Sequence, residues 1–179
     1  MPYSAAVLTV SDLGSRGERE DTAGPAVRAM LEAAGFEVVE HALLPDEPEQ
    51  IAAALVRWAD EQRLALVVTA GGTGLAPRDR TPEATLRVIE QRVPGIEEVM
   101  RAASVAIVPT AMLSRAVAGV RGRTLIVNLP GSERAARENL EVVLRVLEHA
   151  CASLAGDAAE SAATHARIQG EGGAKDHAE

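Results

Sequence analysis

Three observations predict an α/β fold of three layers, with a mostly parallel, mixed sheet between two layers of helices. Short apolar runs alternate with amphipathic helical stretches along most of the 179 residues, the pattern that places helices on both faces of a parallel sheet. The run at residues 64–68 is continuously apolar, as strands buried on both faces are, and residues 5–10 read as a first buried strand. Residues 114–120 and 123–128 read as two strands joined by a tight turn at Arg121-Gly122, which requires one antiparallel strand.

The elements follow in order. The first strand, residues 5–10, ends at Ser11-Asp12, and a polar loop over 13–21 carries Gly14 and Gly17. That loop is long for a strand-to-helix connection, and such loops often serve function. Gly24-Pro25 leads into a helix reaching about residue 34, with Val27, Met30 and Leu31 on one face and Gly35 as its stop. Residues 36–40 begin a second strand whose apolar character resumes at Leu43-Leu44, and a helix with Ile51, Leu55 and Trp58 inward follows Pro48 to about residue 62. The strand at 64–68 runs into a glycine turn. A helix over 82–91 with Leu86 and Ile89 inward comes next, and after Pro94-Gly95 another covers 96–106. Beyond the hairpin, Leu129-Pro130-Gly131-Ser132 opens a long helix over 133–154 with Leu140, Val143, Leu144 and Leu147 as its inner stripe. From residue 155 the composition is Ala, Gly and charge with no apolar face. Residues 1–155 are therefore expected as one domain and 156–179 as a flexible tail.

Composition excludes several functions. The apolar fraction is 47% with 25% charged residues, and the net charge is −8. An acidic chain whose only aromatics are Tyr3, Phe36 and Trp58 has neither the charge nor the stacking platform for nucleic acid. No stretch is long and apolar enough to span a bilayer, and Met1-Pro2-Tyr3 does not open a signal peptide. The lone cysteine, Cys151, reads as a small buried hydrophobe and fits a reducing cytoplasm. Lys175 is the only lysine, so any phosphate chemistry in the core must use backbone N–H groups, arginine or metal. His41, His149, His165 and His177 lack zinc-ligand spacing.

The stretch from Val67 to Glu83 carries the chemistry. A buried strand end, the turn Gly71-Gly72-Thr73-Gly74, a charged loop around Asp79 and a helix opening at Thr81-Pro82-Glu83 are the parts that bind anionic ligands in open α/β sheets. Glycines without Cβ atoms let backbone N–H groups close on such a ligand. The dinucleotide fingerprint fails because Pro77 stands where a third glycine is needed, and no Gly-Lys-Ser/Thr follows for a phosphate loop. If the strand ending at Asn128 runs parallel to the one ending at Ala70, Ser114 and residues 128–131 meet the glycine turn at one sheet edge.

Ala70-Gly71-Gly72-Thr73-Gly74-Leu75-Ala76-Pro77-Arg78-Asp79-Arg80-Thr81-Pro82-Glu83-Ala84-Thr85 resembles the signature of the molybdopterin adenylyltransferase family of molybdenum-cofactor biosynthesis. Leu8-Thr9-Val10-Ser11-Asp12, Leu44-Pro45-Asp46-Glu47, the run Pro109-Thr110-Ala111-Met112-Leu113-Ser114-Arg115 and Asn128-Leu129-Pro130-Gly131 support it, in the family's order. The resemblance implies an ATP- and Mg2+-dependent reaction. The terminal phosphate of molybdopterin attacks the α-phosphate of ATP, and the adenylylated product passes to a molybdenum insertase. It further implies Asp46 and Asp79 as catalytic and metal-holding residues. Ser11, Asp12, Gly71, Gly72, Thr73, Gly74, Thr81, Ser114, Asn128, Pro130 and Gly131 are implied as substrate-binding, with Ser114 on the pterin side. A homotrimer or hexamer is also implied.

Elementary chemistry agrees. Nucleotidyl transfer needs positioning and charge neutralisation, and Mg2+ is held by one or two carboxylates plus substrate phosphates. Arg78 and Arg80 are candidate phosphate binders beside Asp79. Simpler roles stand beside these: Asp46 as a helix N-cap, Asp79 as a surface ion-pair partner, Ser114 as the start of a strand. Two other functions are open: a molybdopterin-binding paralogue of the same fold that lacks this catalysis, and a scaffold. Pro45-Asp46-Glu47 and Pro77-Arg78-Asp79-Arg80 favour the adenylylating branch, and the absence of a second domain disfavours the scaffold.

Overall fold

A computed structural model describes residues 2–173. The order is β1 (Ser4–Val10), α1 (Asp12–Ser15), α2 (Ala23–Ala33), β2 (Glu37–Leu44), α3 (Pro48–Val56, continued by a wide turn Arg57–Glu61), β3 (Leu66–Ala70), α4 (Thr81–Val88) and β4 (Gln91–Arg92). Then come α5 (Pro94–Ile107), a 3-10 turn (Pro109–Leu113), β5 (Ala118–Arg121), β6 (Thr124–Leu129), α6 (Glu133–Ala155) and α7 (Ala158–Gly173). The six strands lie in the order β2-β1-β3-β6-β5-β4. β1, β2, β3 and β6 are parallel, and β5 runs antiparallel to both of its neighbours. The predicted fold class and its one antiparallel strand are what the structure contains.

Alternation along the central strands divides the core between the two faces of the sheet. Ala5, Val7, Leu66, Val68, Leu125 and Val127 pack with α2, α5 and α6. Ala6, Leu8, Val10, Val67 and Ile126 pack with Ile51, Leu55 and Trp58 on one helix and Ala84 and Val88 on the next. Every residue of β3 is buried, which explains why it is apolar apart from Thr69, whose hydroxyl accepts from Asn128: neither face meets water. Each fully buried Leu or Val contributes roughly 1.5–3 kcal/mol.

Four sequence expectations are corrected. Ser114 does not begin a strand; it closes the 3-10 turn, and β5 starts only at Ala118. The hairpin turn is Gly122-Arg123, one residue later than expected, with Arg121 paired to Thr124 and Gly122 at φ +55. Leu86 is exposed, since Ala84, Thr85 and Val88 fill the inner face of α4. Residues 158–173 form a helix. Gly156, at φ +77, ends α6 and turns the chain back, and α7 lies along α6 through polar contacts. The His149 ring Nδ1 lies 3.0 Å from both Ser161 O and Thr164 Oγ1, and Arg167 pairs with Glu148. A helix that docks by small and polar residues shows no apolar stripe, so hydrophobic periodicity could not reveal it. The remaining tail, including Lys175 and His177, lies outside the described residues.

Candidate active site

The strand order reverses between β1 and β3, and in open α/β sheets ligands bind beyond the C-terminal ends of the strands at such a point. Ser11 follows β1 there, Asp46 follows β2, and Gly71 to Gly74 follow β3. Two backbone bonds bring the strand exits together: Ser11 N–H donates to Leu44 O, and Gly71 N–H to Leu129 O.

The turn needs its glycines. Gly71 sits at φ +112, and a Cβ there would strike the Val10 carbonyl. Gly72, at φ +65, leaves no room between Thr81 Oγ1 and Asp46 Oδ1. Among the described residues, the N–H groups of Gly72, Thr73 and Gly74 donate to no protein acceptor. Three such donors in a row, two of them on glycines, form a cradle for an oxyanion.

Two cavities meet over this turn. One, about 490 Å³, lies between Thr9, Ser11, Asp46, Gly71-Gly72, Asp79 and the helix starts at Thr22-Ala23 and Gly131–Glu133. The other, about 330 Å³, is bounded by Thr73-Gly74, Arg101, Ser104, Ser114, Pro130-Gly131 and Asn139. Gly131 borders both, and a Cβ on it would come within 3.2 Å of Gly71 Cα. The wall between the cavities is thus bare backbone.

Asp46 and Asp79 flank the turn from opposite sides. Asp46 is buried. Its Oδ2 accepts the Asp12 N–H at 3.0 Å, while Asp12 Oδ1 accepts the Asp46 N–H at 3.0 Å. Burial pushes the Asp46 carboxyl above the usual aspartate range, and the nearby charges of Asp12 and Asp79 add to this. The N-cap reading of Asp46 falls, since Glu47 occupies that position and the carboxylate serves the loop after β1. Asp79 is half-exposed and makes no ion pair among the described residues; its Oδ2 accepts the Ala76 N–H.

The flanking arginines turn elsewhere. Arg78 donates from Nε and Nη2 to both Asp12 oxygens at 2.9 Å, and from Nη2 to Glu47 at 2.8 Å. This guanidinium holds the Asp12 carboxyl down at about 2. Arg80 bonds only its own loop, at Pro77 O. Arg78 therefore pins loops together through Nε and Nη2, while its Nη1 has no protein partner among the described residues.

Two other expected residues are fully buried. Thr81 is the first residue of α4, and among the described residues its Oγ1 has no partner; its N–H donates to Gly72 O. Asn128 is fully buried, with Nδ2 donating to Thr69 and Thr85 Oγ1 and Oδ1 accepting the Val117 N–H. Its side chain joins β3, α4 and the entry to β5.

Some wall residues escaped sequence reasoning. Asp21 accepts from Thr9 Oγ1 and from the Gly24 N–H, capping α2 beside the larger cavity. Its place just before Thr22-Ala23-Gly24 was a legible capping signal. Arg101, donating to Ser114 O at 3.0 Å, offered none, because only the tertiary fold brings the two together.

Among the described residues no group of three or more His, Cys, Asp or Glu side chains can hold a metal. Two carboxylates facing one turn fit a different chemistry. Mg2+ takes one or two protein carboxylates and completes its octahedron with phosphate oxygens and water. The buried Asp46 has no cationic partner in contact, which suits such an ion.

Fold, switch point and glycine turn define an open α/β domain with a candidate ligand site at its strand exits. Residues 6–149 match the family described as "probable molybdopterin binding domain", and the chain belongs to that family. It is 43% identical over 145 residues to a molybdopterin adenylyltransferase of Helicobacter pylori, covering 80% of this chain and 82% of that one. Its identity to the Escherichia coli protein of that name is 44% over 140 residues, 76% and 71% of the two chains. A solved Thermus thermophilus structure of the molybdopterin biosynthesis enzyme MoaB superposes with a TM-score of 0.82 at 54% identity, over 87% of this chain and 98% of that one. The chain spans 28% of the Drosophila melanogaster protein cinnamon, a larger relative.

Proposed function

We propose that the protein is a molybdopterin adenylyltransferase. A terminal phosphate oxygen of molybdopterin forms a bond to the α-phosphorus of ATP as the bond to the bridging oxygen breaks, and pyrophosphate leaves. The observation that carries this reading is the meeting of two cavities across an oxyanion cradle flanked by two carboxylates. One cavity suits the nucleotide and the other the pterin, so the reacting phosphates fall over Gly72 to Gly74. The free N–H groups there hold phosphate oxygens in line for displacement, which is most of what nucleotidyl transfer asks of a protein. Asp46 and Asp79 would hold Mg2+, which when bound neutralises charge on the phosphates. Ser114 offers its hydroxyl to the pterin side, and the glycine wall at Gly71 and Gly131 lets the two substrates touch.

The decisive experiment incubates the pure protein with molybdopterin, Mg2+ and ATP and looks for adenylylated pterin and pyrophosphate. One observation favours a second reading: the Thermus relative at 54% identity carries the name MoaB, which states no adenylylation. Tight molybdopterin binding without product would support a binding paralogue.

The same reading includes a cytoplasmic homo-oligomer, a trimer or hexamer, that passes its product to a molybdenum insertase. Among the described residues no helix is long and apolar enough to cross a membrane. Val99, Ile107, Val108, Met112 and Leu113 are exposed on α5 and the turn after it. Light scattering of the purified protein tests the assembly.

A further inference from the structure

We infer that Arg115 is the positioning residue that sets the Asp79 carboxylate; this rests on the adenylyltransferase reading. Four contacts run from Arg115 to the segment that carries Asp79. Its backbone N–H donates to Thr73 O at 2.9 Å. Its Nε donates to Gly74 O at 2.8 Å, its Nη2 to Asp79 O at 2.6 Å, and its Nη1 pairs with Glu83.

One guanidinium therefore grips the carbonyls at both ends of the loop from Gly74 to Asp79, together with the helix that follows. The residues between, 75–78, are exposed. Without the grip this charged loop has only Arg78 and its own turn to hold it.

Arg115 is itself held. Arg101 donates to Ser114 O at 3.0 Å and to Ala116 O at 3.4 Å, the carbonyls on either side of it. The wall of the Ser114 cavity and the loop bearing Asp79 thus form one body. A planar fork can span two carbonyls and a carboxylate at once; a lysine ammonium cannot. A metal-holding carboxylate works only when its supports fix it within a fraction of an ångström.

Arg115→Lys tests this. Turnover should fall roughly tenfold or more, with the KM for molybdopterin changed less than about twofold, because a misplaced carboxylate costs the chemical step and not pterin binding. The Mg2+ concentration for half-maximal turnover should rise several-fold. So should the calorimetric Kd for Mg2+ with a non-hydrolysable ATP analogue, measured without molybdopterin.

A role in stability alone predicts a lower Tm and a smaller active fraction with Mg2+ midpoint and Kd unchanged, and that result overturns the proposal. Wild-type turnover in Arg115→Lys does the same. If that variant fails to fold, Glu83→Gln frees one edge of the fork and should raise the Mg2+ midpoint to a lesser degree; an unchanged midpoint counts against Arg115. A wild-type protein that binds Mg2+–nucleotide without turnover sinks the adenylyltransferase reading, leaving calorimetry to judge Arg115. One that binds neither sinks both.

Discussion

Asp46 and Asp79 face the same glycine turn but are held by opposite means. Asp46 is buried beside the sheet, locked by exchanged backbone bonds with Asp12 and pinned from above through Arg78. Asp79 rides on an exposed loop whose ends are gripped by one arginine from a neighbouring segment. The first carboxylate is costly to bury and rigid; the second is easy to hydrate and depends on its support. Both are held in place, one by the sheet-side loops and the other by a guanidinium from a distant segment.

Breaking either arm should have the largest effect. Asp79→Asn keeps the shape and removes the charge, so turnover should fall by roughly 10²–10³ with molybdopterin affinity near normal. Asp46→Asn should fall comparably, since the capping role that would have softened it is absent. If both hold one ion, the double variant should be little worse than the worse single. Rate assays with equilibrium binding decide the matter, and fully multiplicative losses would show independent roles.

Next in size is the turn between the arms. Gly71→Ala places a methyl against the Val10 carbonyl at a positive φ, and should cost roughly 2–4 kcal/mol in denaturant unfolding. Gly131→Ala faces a milder 3.2 Å approach. It should unfold nearly as wild type yet lose turnover by closing the wall between the cavities.

A smaller effect is expected at Ser114→Ala. Losing one hydroxyl in the second cavity should weaken molybdopterin binding by about 1 kcal/mol, roughly fivefold, and leave ATP binding near normal. The reverse pattern in calorimetry would exchange the two cavities.

The smallest effects are in stability against pH, and the two sides differ in sign. Asp12 has its folded value lowered to about 2 by Arg78. Its contribution is present above the ordinary aspartate range, about 3.9, and is lost as pH falls toward 2. Asp46 has a raised folded value, so the native state binds its proton more tightly than the unfolded chain does. Ionising it costs stability as pH rises through the aspartate range and beyond. Asp46→Asn should therefore raise Tm at pH 7, with the gain vanishing on acidification below that range, while Asp12→Asn lowers Tm at pH 7 and matches wild type near pH 2. Thermal melts across pH measure both.

Much of the site was readable in the chain because it lies at strand exits, and strand exits are local features. Apolar runs located β1 and β3, the glycines marked the turn, and Pro82-Glu83 marked the start of α4. The tasks of individual polar side chains were not readable. A cap stood beside the metal-holding role as a reading of Asp46, Asn128 was implied only by resemblance, and Arg78 was a candidate phosphate binder beside Asp79. The bonds that fix these side chains reach 34 residues along the chain for Asp46, 59 for Asn128 and 66 for Arg78.

The sequence by itself determined the layering, the parallel sheet with one reversed strand, and the glycine turn at the strand exits, because apolar periodicity and turn chemistry act over a few residues. Only the tertiary structure decided which polar groups are free to act. A hydrogen bond between distant loops leaves no periodic trace, and a buried carboxylate, amide or guanidinium takes whatever partner the packing of the sheet and helices brings within 3 Å. That packing commits Asn128 and Arg78 to the frame, leaves the Gly72 to Gly74 N–H groups open, and sets Arg115 behind Asp79.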